Sequence, residues 1–252
     1  MSLATLAGYT AGIDMKKPEM LTIGLEKGAD GYSAGWCLEL PGCFGLIPPG
    51  FDEIDRMELA ILEFASWSHN RAAERLTIDR EHLAIVQVND TGELLADGDT
   101  SAFFLHDAEP AGPREFPGWA NAHDLALDEL RDVALSLPGA LLSHRLGEGD
   151  RNLRQVIEHA AVHERWFAVQ LLGGEDRAYP PPSDPIRDLQ SAHRWLQEAV
   201  CDVPPAFRAR RETSPRHGPE DWSVRKVMRR SIWHLRYHTA EIRRSLGALW
   251  LA

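Results

Sequence analysis

The sequence predicts two domains, a small α+β domain over residues 1–105 and an all-α four-helix bundle over residues 119–252, joined by a linker over residues 106–118. Three observations support this prediction. Short strand-like runs are confined to the first hundred positions. The linker is rich in proline and glycine, as connections between domains often are. The apolar residues after it recur with the period of an α-helix.

The N-terminal domain is predicted to contain three strands, a helix and a fourth strand. Strand-like runs, bounded by glycine-rich and proline-rich turns, precede and follow one stretch with apolar residues at helical spacing. In chain order the five elements are residues 21–25, residues 32–40, an apolar run that ends at Pro48, residues 51–76 and residues 83–88. This order defines an α+β domain.

Four amphipathic helices are predicted after the linker, each with a recognisable start or stop signal. The first covers residues 120–137 and is stopped by a Pro-Gly pair; the other three are capped by Asn152, Asp184 and Ser223. Amphipathic helices joined by loops favour a bundle. The second and fourth helices share a pattern at an offset of 71, NLRQVIE (152–158) and SVRKVMR (223–229). This repeat indicates equivalent places in a pseudo-symmetric bundle, or two helices under the same packing demands.

Charge and composition exclude several classes of partner. The chain carries a net charge of −11, and residues 1–110 contain 7 basic against 19 acidic side chains. We therefore expect no nucleic-acid partner, because the phosphate-neutralising patch is missing. No apolar run reaches about 20 residues and no signal segment is recognised, so no membrane partner and a cytoplasmic location are expected. Cys37, Cys43 and Cys201 form no CxxC pair and are predicted to be small core residues.

The clearest chemical pattern is an HxxxH pair, His234 and His238, in the fourth predicted helix. Residues four apart on a helix lie about 40° apart around the axis and about 6 Å along it, so one metal ion can contact both rings. Metal centres that leave positions open for substrate typically use three protein ligands. The second predicted helix offers His159 and His163 as the third ligand, and periodicity alone does not choose between them.

The stretches NLRQVIEHAAVHERWF (152–167) and WHLRYHTAEI (233–242) resemble the second and fourth helices of the DinB-like superfamily, which includes bacillithiol and mycothiol S-transferases. The resemblance covers roughly residues 117–250. It implies a divalent metal bound by one histidine of the second helix, here His159, and by the HxxxH pair His234 and His238. It also implies transfer of a low-molecular-weight thiol or hydrolysis of a small substrate.

A second resemblance concerns the N-terminal domain. The stretch DGYSAGWCLELPGCFG (30–45) is similar to the small HicB-like antitoxin fold, in which a strand ending in Leu-Pro-Gly-Cys precedes a helix. In HicB proteins a DNA-binding segment usually follows, whereas a helical domain follows here. The resemblance therefore implies a fold for this half, and a toxin-binding remnant is only a third reading of its function.

Other polar residues near the predicted site have ordinary structural explanations. His163 and His193 face the apolar side of their helices and are read as hydrogen-bonded core residues, with a minor role for His163 beside the metal. Glu158 and Glu164 are expected to face solvent. The fourth helix carries a predicted solvated arginine face, of which one or two members could hold an anionic thiol or carboxylate: Arg225, Arg229, Arg230, Arg236, Arg243 and Arg244.

The sequence thus predicts a metal-dependent enzyme that acts on a small-molecule substrate. Zinc, nickel and iron all suit imidazole ligands. The excess of arginine over lysine suggests a GC-rich genome and, by association, mycothiol as the thiol. The rival prediction is a non-catalytic protein, either a ligand-binding sensor with a structural metal or a homodimerising module. Catalytic residues, the substrate and the role of the N-terminal domain are not identified by any motif.

Overall fold

The computed structural model describes residues 20–68, 80–97, 100–143, 151–174, 184–214 and 218–250. Its first part is a four-stranded sheet of β1 (Leu21–Lys27), β2 (Ser33–Cys37), β3 (Phe44–Ile47) and β4 (Leu83–Asp90). The strands lie in the order β3-β2-β1-β4. β1 and β2 are antiparallel, as are β2 and β3, whereas β4 runs parallel to β1. Parallel pairing requires a crossover, which α1 supplies.

The helix of the sheet region is α1 (Glu53–Ser68), which packs on one face of the sheet. It begins after Asp52, whose carboxylate accepts hydrogen bonds from the backbone N–H groups of Ile54 (2.9 Å) and Asp55 (3.0 Å). The predicted helix extended to residue 76; residues 69–79 lie outside the described part of the chain. The predicted α+β order of strands and helix is confirmed.

A helical region follows, made of α2 (Phe116–Leu135), α3 (Leu153–Leu172), α4 (Pro185–Asp202) and α5 (Val224–Trp250). Three predicted caps are present. The side chains of Asn152 and Asp184 accept from the backbone N–H groups of Gln155 and Ile186. Ser223 accepts from the N–H of Lys226 at 3.2 Å. The second half is therefore mainly helical, as predicted.

A β-hairpin inside this region was not predicted. Strands β5 (Arg208–Ser214) and β6 (Gly218–Ser223) pair in antiparallel fashion between α4 and α5. The expectation of helices alone after the linker is wrong at this point. The hairpin carries almost no apolar alternation, because most of its side chains are polar; in β6 the buried residues are Trp222 and Ser223 at its end. Backbone pairing rather than hydrophobic patterning defines it, so its sequence signal is weak.

The second face of the sheet packs against α5. Trp36 of β2 contacts Trp233 of α5 with ring centroids 5.5 Å apart, and Phe44 of β3 lies 5.0 Å from the same indole. Gly42 sits in the turn before β3 with φ +89°, and an added Cβ would lie 2.3 Å from a methyl group of Ile232. Only glycine accommodates both the backbone conformation and this close approach. The sheet therefore packs against α5, the helix that carries the HxxxH pair.

This contact corrects the prediction of a solvated arginine face on α5. Arg229 is 3% exposed and pairs with the buried Asp107 at 2.7 Å. Arg225 binds Glu115 at 2.7 Å, Arg230 binds Glu220 at 3.3 Å, and Arg236 donates to the carbonyl of Gly42 at 3.0 Å. Arg243 and Arg244 are exposed as predicted. Helical periodicity marks these positions as polar, but carboxylates and carbonyls from other segments of the fold pair with four of them.

The three cysteines do not share one environment. Cys37 and Cys43 are buried in the sheet region, and both are free thiols. Burial, together with a side-chain hydrogen bond to Cys43, raises the pKa of Cys37 well above its usual value, so it stays a neutral thiol. Cys201 on α4 is exposed, so its predicted place in the core is wrong. It is the penultimate residue of α4 and directly follows the buried Val200.

Candidate metal centre

Two HxxxH pairs face each other between α3 and α5. His159 and His163 lie on successive turns of α3, and His234 and His238 lie on successive turns of α5. We call these four residues the imidazole cluster. His234 and His238 are 7% and 2% exposed, whereas His159 and His163 are half-buried. The cluster can therefore be reached from solvent at the α3 side and is closed at the α5 side.

The four rings form a closed loop. Neighbouring ring centroids are separated by 4.1 Å between His159 and His163, 4.4 Å between His163 and His234, and 4.4 Å between His234 and His238. The loop closes between His238 and His159 at 5.0 Å. The structure thus places the rings of the three predicted ligands, His159, His234 and His238, in one cluster together with His163.

Hydrogen bonds on the outer side of two rings orient them. Nδ1 of His238 lies 2.7 Å from a carboxylate oxygen of Glu241, one turn further along α5. Nδ1 of His163 lies 3.1 Å from the backbone carbonyl of His159. Both acceptors are oxygens, so each Nδ1 carries the proton, and in the neutral form of each ring the lone pair is on Nε2. A carboxylate behind a ligating histidine is a common support of metal sites, and the sequence motif does not reveal it.

The environment keeps three of the four rings, those of His159, His163 and His234, neutral. Burial, followed by the neighbouring His163 and His238, lowers the pKa of His159 to about 3. Burial, chiefly, lowers the pKa of His163 to about 4, and burial with the other three rings lowers that of His234 well below its usual value. No carboxylate acts on these three imidazoles strongly enough to offset desolvation. Neutral imidazole is the form that binds a metal.

The geometry fits a divalent ion. The Nε2 atoms of His234 and His238 are 3.1 Å apart. Two nitrogens bound to one ion at the usual distance of about 2.0–2.1 Å lie roughly 2.9–3.4 Å apart at octahedral or tetrahedral angles. One ligand atom from each of His159, His163 and His234 also lies within 4.8 Å of the others. A buried lone pair that accepts no hydrogen bond costs free energy, and a bound cation would remove that cost.

A second group of buried histidines lies on another face of α3. His123 of α2, Glu164 of α3, His193 of α4 and Ser231 of α5 meet in the core, each at most 2% exposed. With Asp124 of α2 they form what we call the buried network. Their ligand atoms are also close enough for a metal, since those of His123, Glu164 and His193 lie within 4.8 Å of one another. The chemistry of this group differs, because carboxylates already neutralise it.

Direct hydrogen bonds hold the buried network together. Oε2 of Glu164 lies 2.8 Å from Nε2 of His123, and Ser231 donates to Oε1 of Glu164 at 2.5 Å. Nε2 of His193 lies 2.9 Å from Oδ1 of Asp124. Burial alone would disfavour the charged form of His193, but the bonds to Asp124 and Glu164 outweigh it and raise its pKa to about 9. His193 is therefore a cation balanced by two carboxylates.

The buried network is not a serine nucleophile site. In such a site the histidine accepts the serine proton at one nitrogen while the acid binds the other. Here Glu164 binds the same Nε2 of His123 that Ser231 contacts at 2.8 Å, and Ser231 has no exposed surface. The network instead joins side chains from all four helices, α2 to α5. The inward orientation predicted for His193 is confirmed, whereas the solvent-facing position predicted for Glu164 is wrong; Glu158 is exposed as predicted.

Comparison with known proteins identifies the helical half. Residues 122–242 match the family model of the DinB superfamily. This match includes all four histidines of the imidazole cluster, and the C-terminal half of the chain is thus a DinB-superfamily domain, as its helix motifs predicted. No curated protein and no solved structure matches the chain. Within the described residues, no helix has the length and apolar character needed to cross a membrane.

Proposed function

We propose that the protein is a metal-dependent enzyme of the DinB superfamily. In this proposal α2 to α5 form a four-helix bundle, and His159, His234 and His238 bind one divalent ion. The observation that carries it is the clustering of imidazoles from two helices, with the ring centroids of His159 and His238 5.0 Å apart and the Nε2 atoms of His234 and His238 3.1 Å apart. Zinc, nickel and iron suit such ligands.

The chain's own residues would prepare this site for chemistry. Glu241 accepts the Nδ1 proton of His238 and so directs the Nε2 lone pair inward. Half-buried His159 lies on the side from which a small molecule can approach. A divalent ion bound there supplies Lewis acidity, which lowers the pKa of water or of a thiol to near neutrality. The bundle and the covering sheet limit access from the α5 side, which keeps that side dry.

Transfer of a low-molecular-weight thiol is the reaction we favour, and hydrolysis of a small substrate is the alternative reaction. A mycothiol-like thiol fits the proposal by family resemblance and composition. A non-catalytic role, in which the ion clamps α3 to α5 in a sensor or a homodimer, uses the same ligands. The HicB-like reading of the first half and a cytoplasmic location also remain part of the proposal. Open coordination positions distinguish an enzyme from a clamp.

Elemental analysis of the full chain purified without chelator tests the proposal. We expect about one divalent ion per chain in the wild type and none in the His234→Ala variant. The matched control is His82→Ala, a partly exposed histidine of the sheet region that should keep the ion. Wild-type protein that holds no ion, and takes up none on reconstitution, would rule out the metal-dependent function. Activity is then screened with thiols plus electrophiles and, separately, by hydrolysis without thiol.

A further inference from the structure

We infer that His163 is a fourth imidazole ligand of the proposed metal centre, in addition to the three that the family motif identifies. This inference rests on the proposed function, because it concerns the same ion. It changes the chemistry of the site, since four protein nitrogens leave fewer positions for water, thiol or substrate than three do. Three features of the molecule support the inference: the ring geometry, the proton position on His163 and the internal repeat.

The ring of His163 is as close to the cluster as the predicted ligands are. Its centroid lies 4.1 Å from that of His159 and 4.4 Å from that of His234. The predicted ligands lie 4.4–5.2 Å from one another. A residue that only supported a ligand would contact the far side of that ligand's ring, as Glu241 does. His163 instead occupies a corner of the loop.

The proton position on His163 leaves the correct nitrogen for a metal. Its Nδ1 donates to the backbone carbonyl of His159, four residues earlier on the same helix, at 3.1 Å. The Nε2 atom therefore carries the lone pair in the neutral ring. The same arrangement occurs at His238, whose Nδ1 donates to Glu241. Two helices thus each present one imidazole whose tautomer is set for ligation through Nε2.

The internal repeat independently selects His163. At the offset of 71 that aligns residues 152–158 with 223–229, His163 corresponds to His234. The two rings face each other across α3 and α5 with an interplanar angle of 24°. His159 corresponds to Arg230, which has no imidazole. The pseudo-symmetry of the two helices therefore pairs His163, rather than His159, with a ligand of the HxxxH motif.

Cobalt substitution of the full chain tests this inference, with added Co²⁺ as the probe. In the paramagnetic proton NMR spectrum each bound imidazole gives its own hyperfine-shifted ring N–H or C–H signals. We expect shifted signals from four histidines in the wild type, and loss of one set in His163→Gln. The visible Co²⁺ bands should also shift. The affinity for Co²⁺ should fall by roughly tenfold or more, equivalent to about 1.4 kcal/mol.

Each outcome separates this inference from the proposed function. The matched comparison is His159→Gln, which removes the neighbouring ring of the same helix. Shifted signals from only three histidines, with His163→Gln unchanged in spectrum and affinity, would leave the enzyme proposal intact and overturn the fourth ligand. No shifted signal in the wild type would end both. Should His163→Gln fail to fold, the count of histidines in the wild-type spectrum alone decides.

Discussion

The imidazole cluster and the buried network lie on different faces of α3, and the pKa of His193 in the network shifts in the opposite direction from the pKa values of His159 and His163 in the cluster. In the imidazole cluster four rings face one another, and the pKa values of His159 and His163 fall to about 3 and 4. In the buried network Asp124 and Glu164 compensate His193, and its pKa rises to about 9. Burial lowers the pKa of a histidine in both groups. The difference lies in the carboxylates.

This contrast explains why proximity of histidines is a poor guide to metal binding. Ligand atoms in both groups approach within 4.8 Å. The buried network already contains a cation, the protonated imidazole of His193, whose charge two carboxylates balance. A metal ion would therefore have to displace that proton to bind there. In the imidazole cluster burial keeps His159, His163 and His234 neutral, and no carboxylate offsets that effect on these three rings. We therefore propose that the buried network stabilises the fold and that the imidazole cluster binds the metal ion.

We expect the largest effect, a loss of stability, from a substitution in the buried network. Glu164→Gln removes the charge that compensates His193 and accepts from His123 and Ser231. We expect the metal-free protein to lose about 3–5 kcal/mol of unfolding free energy, because the buried cation loses one of its two carboxylates and His123 and Ser231 lose their charged partner. Urea denaturation measures it. The control Glu158→Gln, on the exposed face of the same helix, should change stability by less than about 0.5 kcal/mol. Equal effects of the two substitutions would contradict a structural network.

A second prediction concerns the pH dependence of stability in the metal-free protein. The folded pKa of His193, about 9, exceeds its usual value of 6.5, so its stabilisation is complete below pH 6.5 and is lost as pH rises through 9. The unfolding free energy should fall by up to about 3 kcal/mol across this window. In His193→Gln the decline should disappear. A wild-type profile that is flat from pH 6.5 to 9 would show that His193 is not held as a cation.

Metal addition distinguishes the two groups directly. A divalent ion at 100 times its dissociation constant should raise the unfolding free energy of the wild type by about 2.7 kcal/mol. The increase should vanish in His234→Ala and persist in His193→Gln, measured by denaturation at equal free-ion concentration. The reverse pattern, with His193→Gln insensitive and His234→Ala protected, would exchange the roles of the two groups.

We expect the smallest effect from a substitution of Glu241, which contacts the outer side of the His238 ring. Glu241→Gln keeps the shape of the side chain but weakens the hold on Nδ1 of His238. We expect metal affinity to fall by about 10-fold to 100-fold with little change in metal-free stability. Competition with a chromophoric chelator measures the affinity. Glu198→Gln, at an exposed position on α4, is the control. An unchanged affinity in Glu241→Gln would show that the carboxylate does not orient the ring.

Local sequence signals predicted much of the fold. Alternation and turn residues located the strands, and Asn152, Asp184 and Ser223 marked helix starts, because caps and strands depend on near neighbours. Spacing alone also placed His234 and His238 together on α5. The choice between His159 and His163 could not be made from periodicity, since both lie on the same side of α3. The structure places both rings in the cluster.

Tertiary structure decided what each polar side chain meets. By itself the sequence determined the order of strands and helices and the HxxxH spacing, which follow from local backbone preferences and helical geometry. It could not show that Glu164 is buried against His123, or that Asp107 neutralises Arg229 from 122 residues away. A charged residue reads as solvent-facing until its partner is known. That partner is brought in by the packing of distant segments, so burial, and with it the pKa and the function of each histidine, is a property of the assembled fold.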